Sequence, residues 1–394
     1  MITIIKNGEV YAPGYLGKKD VILAGTRIEG IYDNVDIPQN FGEVNVIDAE
    51  GKYVVPGFID CHVHLNGGGG EGGFHTRTPE IQLSDIVAGG ITTVVGCLGT
   101  DSVCRNMEGL LAKARALEIE GISTYIYTGS YEIPVKTITG SPRSDIILID
   151  KVIGVGEVAL SDHRSSQPTY EEFIKVAAEA RVGGLIAGKC GIVHVHLGDG
   201  PQKLDYLVRL VRETEIPIEQ LMPTHINRSR RVFEAGYEYA RMGGIIDLTT
   251  SSDPDFLEED EVKASTGLKI MLDRGIPVEQ LQFSSDGQGS LPIFDKDRKF
   301  VGLGIGSTKS LYREFKDAVL KDGVKLEDAL RAVTSNVADH LVLRYKGKLE
   351  GGRDGDIVVL NKNLDIVDVI AKGRTMVQKG EVVVKGIFEG SLGK

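Results

Sequence analysis

Short apolar runs alternate with amphipathic stretches through the middle of the chain. The runs are rich in β-branched residues and end at glycine or polar residues, a pattern that predicts β-strands. The predicted strands are Val54–Ile59, Ile91–Cys97, Thr124–Thr128, Val152–Val158, Gly191–Leu197, Leu221–Ile226, Ile245–Thr249 and Leu281–Ser285. Between them, apolar residues at helical spacing predict helices such as Met107–Ile119, Tyr170–Val182, Gln202–Glu213 and Arg230–Met242.

This alternation predicts an α/β fold, a (β/α)₈ TIM-type barrel. Eight strands, each followed by a helix, occupy about 290 residues, and barrels of this kind typically need about 250. A doubly wound open sheet is the alternative architecture. Its dinucleotide fingerprint is not found, because the glycine-rich stretch Gly67–Gly73 follows a strand without G-x-G-x-x-G spacing into a helix.

The two ends of the chain differ from the middle, because they contain only strand and turn patterns. Asp20–Leu23 near the start and Asp356–Leu360 near the end are typical examples. We expect the ends to pair into a small β-sandwich domain made of residues 1–56 and 347–394. Residues 57–346 then form the catalytic barrel.

Composition and charge narrow the class of protein. The chain has 394 residues, 41% of them hydrophobic and 26% charged, as is ordinary for a globular enzyme. Its net charge of -11 argues against nucleic-acid and anionic-membrane partners. We expect no membrane span, because no apolar run approaches ~18 residues. Four cysteines without a CxxC pair and the absence of a secretory leader predict a cytoplasmic protein with free thiols.

Candidate metal ligands follow the predicted strands. His62 and His64 stand two residues apart, so they point to the same side of the sheet and offer half a site for zinc. Later strand ends supply more ligands. In a closed parallel barrel all these ends share one rim, where active sites lie. The four imidazoles and two carboxylates of this rim suffice for two divalent ions, and they are His62, His64, Glu157, His196, His225 and Asp286.

On its motifs the chain resembles the amidohydrolase superfamily and, within it, the isoaspartyl (β-aspartyl) dipeptidases. The matching segments include PGFIDCHVHLNGGGGEGG, GCLGTDS, TGSYEIP, VIGVGEVALSDHRS, EARVGGL, PTHIN and SSDGQGS. The HxH pair with later single histidines and an aspartate is the superfamily signature, and the GGGGE loop and SDHR point to the dipeptidase branch. The resemblance implies hydrolysis of the β-aspartyl bond of small dipeptides by a hydroxide that bridges two zinc ions.

The resemblance also implies a role for each ligand. His62 and His64 would bind the buried metal, and His196 and His225 the more exposed one. Asp286 would contact the first metal and act as general base and then as general acid. Tyr131 would donate to the carbonyl oxygen as charge develops there, although a lid residue that merely covers the substrate is the alternative.

A second set of residues would recognise the dipeptide. Glu71 can reach its α-ammonium group, and the glycines before it let backbone N–H groups approach a carboxylate. Arg164 and Arg228 can each hold a carboxylate through a forked pair of hydrogen bonds. The predicted substrate-binding residues are Glu71, Gly69, Thr100, Arg164, Arg228 and Ser290.

One position departs from the pattern of this family. Most relatives place a lysine on the fourth strand and carboxylate it to bridge the metals, whereas this chain has Glu157 there in a segment one residue longer. We expect Gly156 and the extra residue to form a bulge that re-aims the side chain. The hypothesis is that Glu157 itself bridges both metals, and the alternative is a mononuclear site beside which Glu157 only supports the ligands.

Two other functions remain open from the sequence. One is another amidohydrolase activity on cyclic or N-acyl amides, as in hydantoinases and dihydroorotases. The other is a non-catalytic scaffold, which would have lost metal ligands that are all present here. The resemblance further implies a homo-oligomer, an octamer. We assign no catalytic role to the remaining histidines, namely His75, His163, His194 and His340.

Overall fold

The computed structural model describes residues 2–37, 42–252, 257, 260–294 and 300–390. Its strands are β1 (Ile2–Tyr11), β2 (Tyr15–Ala24), β3 (Arg27–Tyr32), β4 (Val44–Asp48), β5 (Tyr53–Pro56), β6 (Phe58–Val63), β7 (Ile91–Gly96), β8 (Ser123–Thr128), β9 (Val152–Leu160), β10 (Ile192–Leu197), β11 (Leu221–Thr224), β12 (Ile246–Thr249), β13 (Leu281–Ser284), β14 (Ser290–Phe294), β15 (Phe300–Ile305), β16 (Ile357–Leu360), β17 (Ile366–Ala371), β18 (Arg374–Gln378) and β19 (Glu381–Val382). Its α-helices are α1 (Leu83–Val87), α2 (Met107–Glu120), α3 (Pro142–Leu148), α4 (Tyr170–Ala187), α5 (Asp205–Glu213), α6 (Arg230–Arg241), α7 (Ala264–Asp273), α8 (Lys309–Leu320), α9 (Leu326–Val333) and α10 (Ser335–His340).

Strands β6 to β13 form the predicted parallel barrel. Six of them make one sheet in the order β11-β10-β9-β8-β7-β6, and β12 pairs with β13. Backbone hydrogen bonds connect the two sheets at both edges, from Ile226 N–H to Asp247 O and from His64 N–H to Gly287 O. The order is therefore sequential around the ring, as short right-handed strand–helix units require. The (β/α)₈ prediction is confirmed.

The predicted barrel strands agree with the observed ones to within a few residues, with one exception. The first predicted strand, Val54–Ile59, is wrong as a single element, because the structure divides it at Gly57. Residues Tyr53–Pro56 form β5, which pairs with β16 and β1 in the other sheet, whereas Phe58–Val63 form β6 of the barrel. Apolar residues continue through both strands, so periodicity alone does not show the change of sheet.

A β-bulge interrupts β9, as the sequence predicted from the extra residue. Val155 pairs with Val193 and Val158 with Val195, so two residues of β9 face the single residue His194. Glycine is required at the first of them, because a Cβ on Gly156 would lie 2.7 Å from the Cβ of His194. The bulge turns Glu157 into the barrel, and this side chain is fully buried.

Both chain ends contribute to a separate sheet of nine strands. Its main path is β19-β18-β17-β16-β5-β1-β2-β3, with β4 paired to β1. Along β16, Ile357 and Val359 face a core shared with β1 and β2, while Val358 and Leu360 pack in the large core between barrel strands and helices. One face of β16 therefore packs against the barrel, and its other face packs against β1 and β2.

One face of the sheet shares the large core of the barrel, and the other face has a core of its own. The predicted pairing of the two chain ends occurs at β5 and β16, and the boundaries 1–56, 57–346 and 347–394 remain a prediction. Among the described residues, no helix combines the length and apolar composition needed to cross a bilayer. The carboxyl ends of β6 to β13 all lie at one rim of the barrel, where the candidate site is found.

Candidate active site

All six predicted metal ligands meet at the carboxyl-terminal rim of the barrel. His62 lies in β6, Glu157 in β9 and His196 in β10, while His64, His225 and Asp286 follow β6, β11 and β13 directly or within two residues. Neighbouring imidazoles are packed closely, with 4.5 Å between the ring centroids of His196 and His225 and 5.5 Å between those of His62 and His64. The ring of the barrel thus gathers ligands that are more than 200 residues apart in sequence.

The carboxylate of Glu157 lies between two pairs of histidines. Its Oε1 is 2.7 Å from Nδ1 of His196 and 3.3 Å from Nε2 of His225. Its Oε2 is 3.1 Å from Nε2 of His62 and 3.8 Å from Nε2 of His64. Each oxygen therefore faces one histidine pair, which is the arrangement a bridging carboxylate needs.

Asp286 is adjacent to the first histidine pair. Its Oδ1 lies 3.0 Å from Nε2 of His64 and 3.5 Å from Nε2 of His62. Asp286 and His225 both adopt left-handed backbone conformations, with φ of 51° and 60°. Such conformations cost about 1–3 kcal/mol for residues other than glycine and occur often where function fixes a side chain.

The side chains of this centre fit a metal. Nε2 of His62 and Oε2 of Glu157 are buried and make no hydrogen bond within the described part of the chain. A buried polar atom without a hydrogen bond is costly, and a bound cation would supply the missing partner. Imidazole and carboxylate donors suit zinc and related divalent ions. The residues present therefore fit the metals expected of this centre.

The carboxylates and imidazoles of the centre shift one another's pKa values. Burial would lower the pKa of His62, but the neighbouring carboxylate of Glu157 raises it well above its ordinary value. Burial would raise the pKa of Asp286, but the imidazoles of His62 and His64 hold it well below its ordinary value. Burial lowers the pKa of His225 to about 3, which keeps that imidazole neutral and able to bind a metal.

Several residues that support the ligands were not predicted from the sequence. Oδ2 of Asp162 lies 3.0 Å from Nε2 of His196, which leaves Nδ1 of that imidazole for the centre. Oγ1 of Thr249 lies 2.8 Å from Nδ1 of His225 and so orients that ring. Asp162 belongs to the SDHR motif and could have been recognised from it. Nothing in the sequence near Thr249 indicates that this residue supports a ligand.

Cys97 is a further residue beside the ligands that was not predicted from the sequence. It follows β7 and is fully buried, with its Sγ 3.8 Å from Nδ1 of His64. Its thiol lies in a group with His62, His64 and Glu157 whose ligand atoms are all within 4.8 Å of one another. The thiol of Cys61, by contrast, contacts Asp247 and Gln282.

The metal centre opens into a cavity of about 1330 Å³. The predicted substrate-binding residues Gly69, Glu71, Thr100, Arg164, Arg228 and Ser290 all line it. Oε1 of Glu71 accepts a hydrogen bond of 2.8 Å from the Thr100 hydroxyl and lies 3.6 Å from Nη1 of Arg164. Gly69 has a φ of 71°, and a Cβ there would lie 2.6 Å from the backbone oxygen of Thr76, so glycine is required.

Asp162 also holds the two arginines. It accepts a forked pair of bonds from Arg164, at 3.0 Å from Nε and 2.8 Å from Nη2, and lies 3.4 Å from Nη1 of Arg228. The guanidinium groups are therefore fixed beside the metal centre before any anion binds. Because an arginine held in place loses less side-chain entropy on binding, this arrangement favours capture of a carboxylate.

Tyr131 stands over the second histidine pair. Its hydroxyl lies 2.8 Å from Nδ1 of His196, and its ring contacts the Arg164 guanidinium at 5.4 Å. Burial raises the pKa of Tyr131 well above its ordinary value, so the hydroxyl keeps its proton and can donate it in a hydrogen bond.

Of the four histidines without an assigned role, only His194 packs against a predicted ligand among the described residues. The side chain of His163 is 89% exposed and lines the cavity, and His75 is in a short 3₁₀ helix, Phe74–Thr76, after the glycine-rich run. His194 is buried beneath the centre against His62 and Tyr127. His340 lies 2.6 Å from Oε1 of Gln282.

With this geometry in place, the chain can be compared with known proteins. The model of the amidohydrolase family matches residues 53–381. This protein belongs to the amidohydrolase family. It resembles the β-aspartyl dipeptidase of Fervidobacterium islandicum AW-1, crystallised with the dipeptide β-Asp-Leu, at 47% identity and a TM-score of 0.88, over 97% of this chain and 98% of that chain. A second structure of that enzyme matches at 44% identity over the same shares.

Other relatives are more distant or match only in part. A dihydroorotase of Caldanaerobacter subterraneus is 34% identical over 166 residues, which is 41% of this chain and 35% of that protein. A dihydroorotase of Staphylococcus epidermidis is 37% identical over 20% of its length. The chain thus spans about a fifth to a third of these curated relatives. A D-hydantoinase with a TM-score of 0.68 and 18% identity shares the fold.

Proposed function

We propose that this protein is a metal-dependent dipeptidase that hydrolyses the β-aspartyl bond of dipeptides, with two zinc ions at the barrel rim. The observation that carries the proposal is the Glu157 carboxylate between two histidine pairs, with Asp286 beside it, at the base of a cavity lined by Glu71 and two arginines. The likeness to the Fervidobacterium enzyme supports the dipeptide class.

The residues of the centre have distinct parts in such a hydrolysis. Two divalent ions, when bound, lower the pKa of water and polarise the scissile carbonyl. Asp286 accepts a proton from the attacking water and later gives it to the leaving amine, since its depressed pKa keeps it ionised in the resting protein. Tyr131 donates a hydrogen bond to the carbonyl oxygen as negative charge develops.

The cavity wall suits the charges of a β-aspartyl dipeptide. Such a molecule carries one α-ammonium and two carboxylate groups. Glu71 supplies the anion for the ammonium, and Arg164 and Arg228 supply forked donors for a carboxylate. Backbone N–H groups near Gly69 and the hydroxyls of Thr100 and Ser290 serve the other carboxylate.

The strands β14 and β15 supply an apolar wall for the leaving residue. Leu291, Ile293, Leu303 and Ile305 line the cavity, and the last three are 42–48% exposed. Apolar side chains exposed at the mouth of a binding cavity are typical of a ligand contact. We therefore propose that dipeptides with an apolar residue after isoaspartate are preferred.

A substrate panel assayed together with metal content tests this proposal. We expect β-Asp-Leu to be cleaved, α-Asp-Leu and cyclic ureides to be turned over at least about a hundredfold more slowly, and about two zinc ions per chain. Preferred turnover of dihydroorotate or a hydantoin would favour the alternative amidohydrolase activity. A protein without metal or turnover would instead be a scaffold.

Replacing Glu71 with glutamine should raise KM for β-Asp-Leu by about tenfold or more, because the α-ammonium loses a charged partner. The zinc content should stay unchanged. A sharper readout compares β-Asp-Leu with the same dipeptide acetylated at its α-amino group. The natural protein should prefer the free dipeptide, whereas the variant should not distinguish between the two.

Glu80→Gln provides a matched control for this prediction. Glu80 is exposed and lies 3.4 Å from Lys113, away from the cavity lining. Its variant should keep both KM and the discrimination against the acetylated dipeptide. An unchanged kcat/KM in the Glu71 variant would remove Glu71 from the ammonium site.

Replacing Tyr131 with phenylalanine should lower kcat by about a hundredfold or more with little change in KM. Loss of one donor to a developing oxyanion typically costs about 10²–10³ in kcat. Steady-state kinetics with β-Asp-Leu distinguishes the two roles left open for this residue. A residue that only covers the substrate would instead change KM and leave kcat close to that of the natural protein.

Two further expectations remain predictions. The cytoplasmic location is a prediction from cysteine usage. A homo-octamer follows from the family resemblance, and a mass measurement in solution tests it.

A further inference from the structure

Cys97 lies where the barrel wall meets the first histidine pair. It follows β7 directly, and its thiol is fully buried. Its Sγ is 3.8 Å from Nδ1 of His64 and 3.7 Å from the backbone oxygen of Val63. The sequence predicted no cysteine among the ligands, and the reaction proposed above assigns no part to this thiol.

The spacing of the atoms around Cys97 is compatible with one ion. Its Sγ and one ligand atom each of His62, His64 and Glu157 lie within 4.8 Å of one another. Ligand atoms around a tetrahedral zinc, at about 2.0–2.3 Å from the metal, are roughly 3.3–3.8 Å apart. Small rotations of the side chains therefore suffice to close the four atoms around a single cation.

A second observation also points to a ligand at this place. Nε2 of His62 and Oε2 of Glu157 lie 3.1 Å apart, are buried, and form no hydrogen bond among the residues that the structure describes. Both residues belong to the same group as the Cys97 thiol. Two buried polar atoms that lack hydrogen bonds, next to a buried sulfur, form the polar face of a cation site.

We propose that the Cys97 thiolate is a ligand of the buried metal, together with His62, His64 and Glu157. This inference rests on the metal centre of the proposed function. Binding forms a metal–sulfur bond and breaks the S–H bond, and the thiol proton passes to solvent. A thiolate in the ligand set selects zinc or cobalt over magnesium or manganese, which prefer oxygen ligands.

The competing role for Cys97 is that of a positioning residue. In that role the sulfur would accept a hydrogen bond from Nδ1 of His64 and only orient that ring. Serine can accept the same hydrogen bond but is a poor ligand for zinc, so Cys97→Ser distinguishes the two roles.

X-ray absorption at the zinc edge of the natural protein tests the bond without any variant. We expect a sulfur scatterer at roughly 2.3 Å from zinc, at about one sulfur for every two zinc ions. A shell of nitrogen and oxygen alone would overturn the proposal.

Cobalt substitution gives an independent readout. The cobalt form of the natural protein should show intense near-ultraviolet absorption from charge transfer between sulfur and Co²⁺. Cys97→Ser should lose this absorption and bind the buried ion at least about a hundredfold more weakly, since loss of an outer partner alone costs 10–100-fold. Retention of the absorption, or of full ion affinity, in the variant would contradict the proposal.

Cys61→Ser is the matched control. Cys61 is equally buried and one strand away, but its sulfur contacts Asp247 and Gln282 and belongs to none of the metal-compatible groups among the described residues. This variant should keep the absorption and both ions. Zinc bound without sulfur in a protein that cleaves β-Asp-Leu would overturn this inference alone, whereas zinc–sulfur bonding without dipeptidase activity would overturn only the proposed function.

Discussion

Replacing Asp286 with asparagine should lower kcat for β-Asp-Leu by about a thousandfold or more. A positioned general base contributes about 10²–10⁴ to a rate, and the neutral amide of asparagine cannot accept the proton. Asparagine also tolerates the left-handed backbone that Asp286 adopts, with φ of 51°, so the loop is expected to keep its shape. The measurement is steady-state kinetics together with zinc analysis of the same preparation.

Asp199→Asn is the control for this variant. Asp199 lines the same cavity but binds Ser229 and Arg231 on its outer side. Its replacement should change kcat by no more than a few-fold. If the Asp286 variant turned over at a near-natural rate with both ions bound, Asp286 would not be the general base.

The strand order and most of the residues at the barrel rim could be predicted from the sequence. Hydrophobic periodicity, and the position of a residue just after a strand, can both be recognised in a short segment. His62 and His64 stand two residues apart on one strand, and alternation alone places them on one face. The bulge at Gly156 could also be predicted, because a strand accommodates one extra residue beside a glycine most readily by forming a bulge. The closed ring of parallel strands then brings the strand ends together.

Contacts that depend on tertiary packing could not be predicted in this way. Thr249 orients His225 across neighbouring strands, and Cys97 reaches His64 from the next strand of the barrel. The local sequence of Thr249 is that of an ordinary strand-end threonine, and the GCLGTDS motif around Cys97 did not indicate a ligand. The division of the first strand at Gly57 was missed for a related reason, because both halves are equally apolar and only their pairing partners differ.

In the proposed centre, Glu157 would take the place of the carboxylated lysine that the family resemblance implies. A carboxylated lysine needs carbon dioxide to form, whereas a glutamate is ready as soon as the barrel folds. The shorter glutamate reaches the centre because the bulge in β9 brings its backbone inward beside His194. The position of the Glu157 side chain in the centre thus depends on the bulge in β9.

Replacing Glu157 with alanine should reduce the bound zinc from about two ions to well under two per chain and abolish measurable turnover. Oε1 faces His196 and His225 while Oε2 faces His62, so one side chain serves both histidine pairs. Its loss also leaves four neighbouring imidazoles without their central anion. Elemental analysis and a thermal unfolding series with added zinc measure the effect, because a ligand that binds the folded state raises Tm.

Glu314→Gln separates loss of a ligand from loss of a buried acid. Glu314 is as buried as Glu157 but accepts a hydrogen bond of 3.0 Å from the backbone of Ser265, away from the metal centre. Its variant should keep both ions and the zinc-dependent rise in Tm, whereas Glu157→Ala should lose that rise. Two ions retained by the alanine variant would show that Glu157 does not bridge the metals, and the other ligands would then have to hold each ion without it.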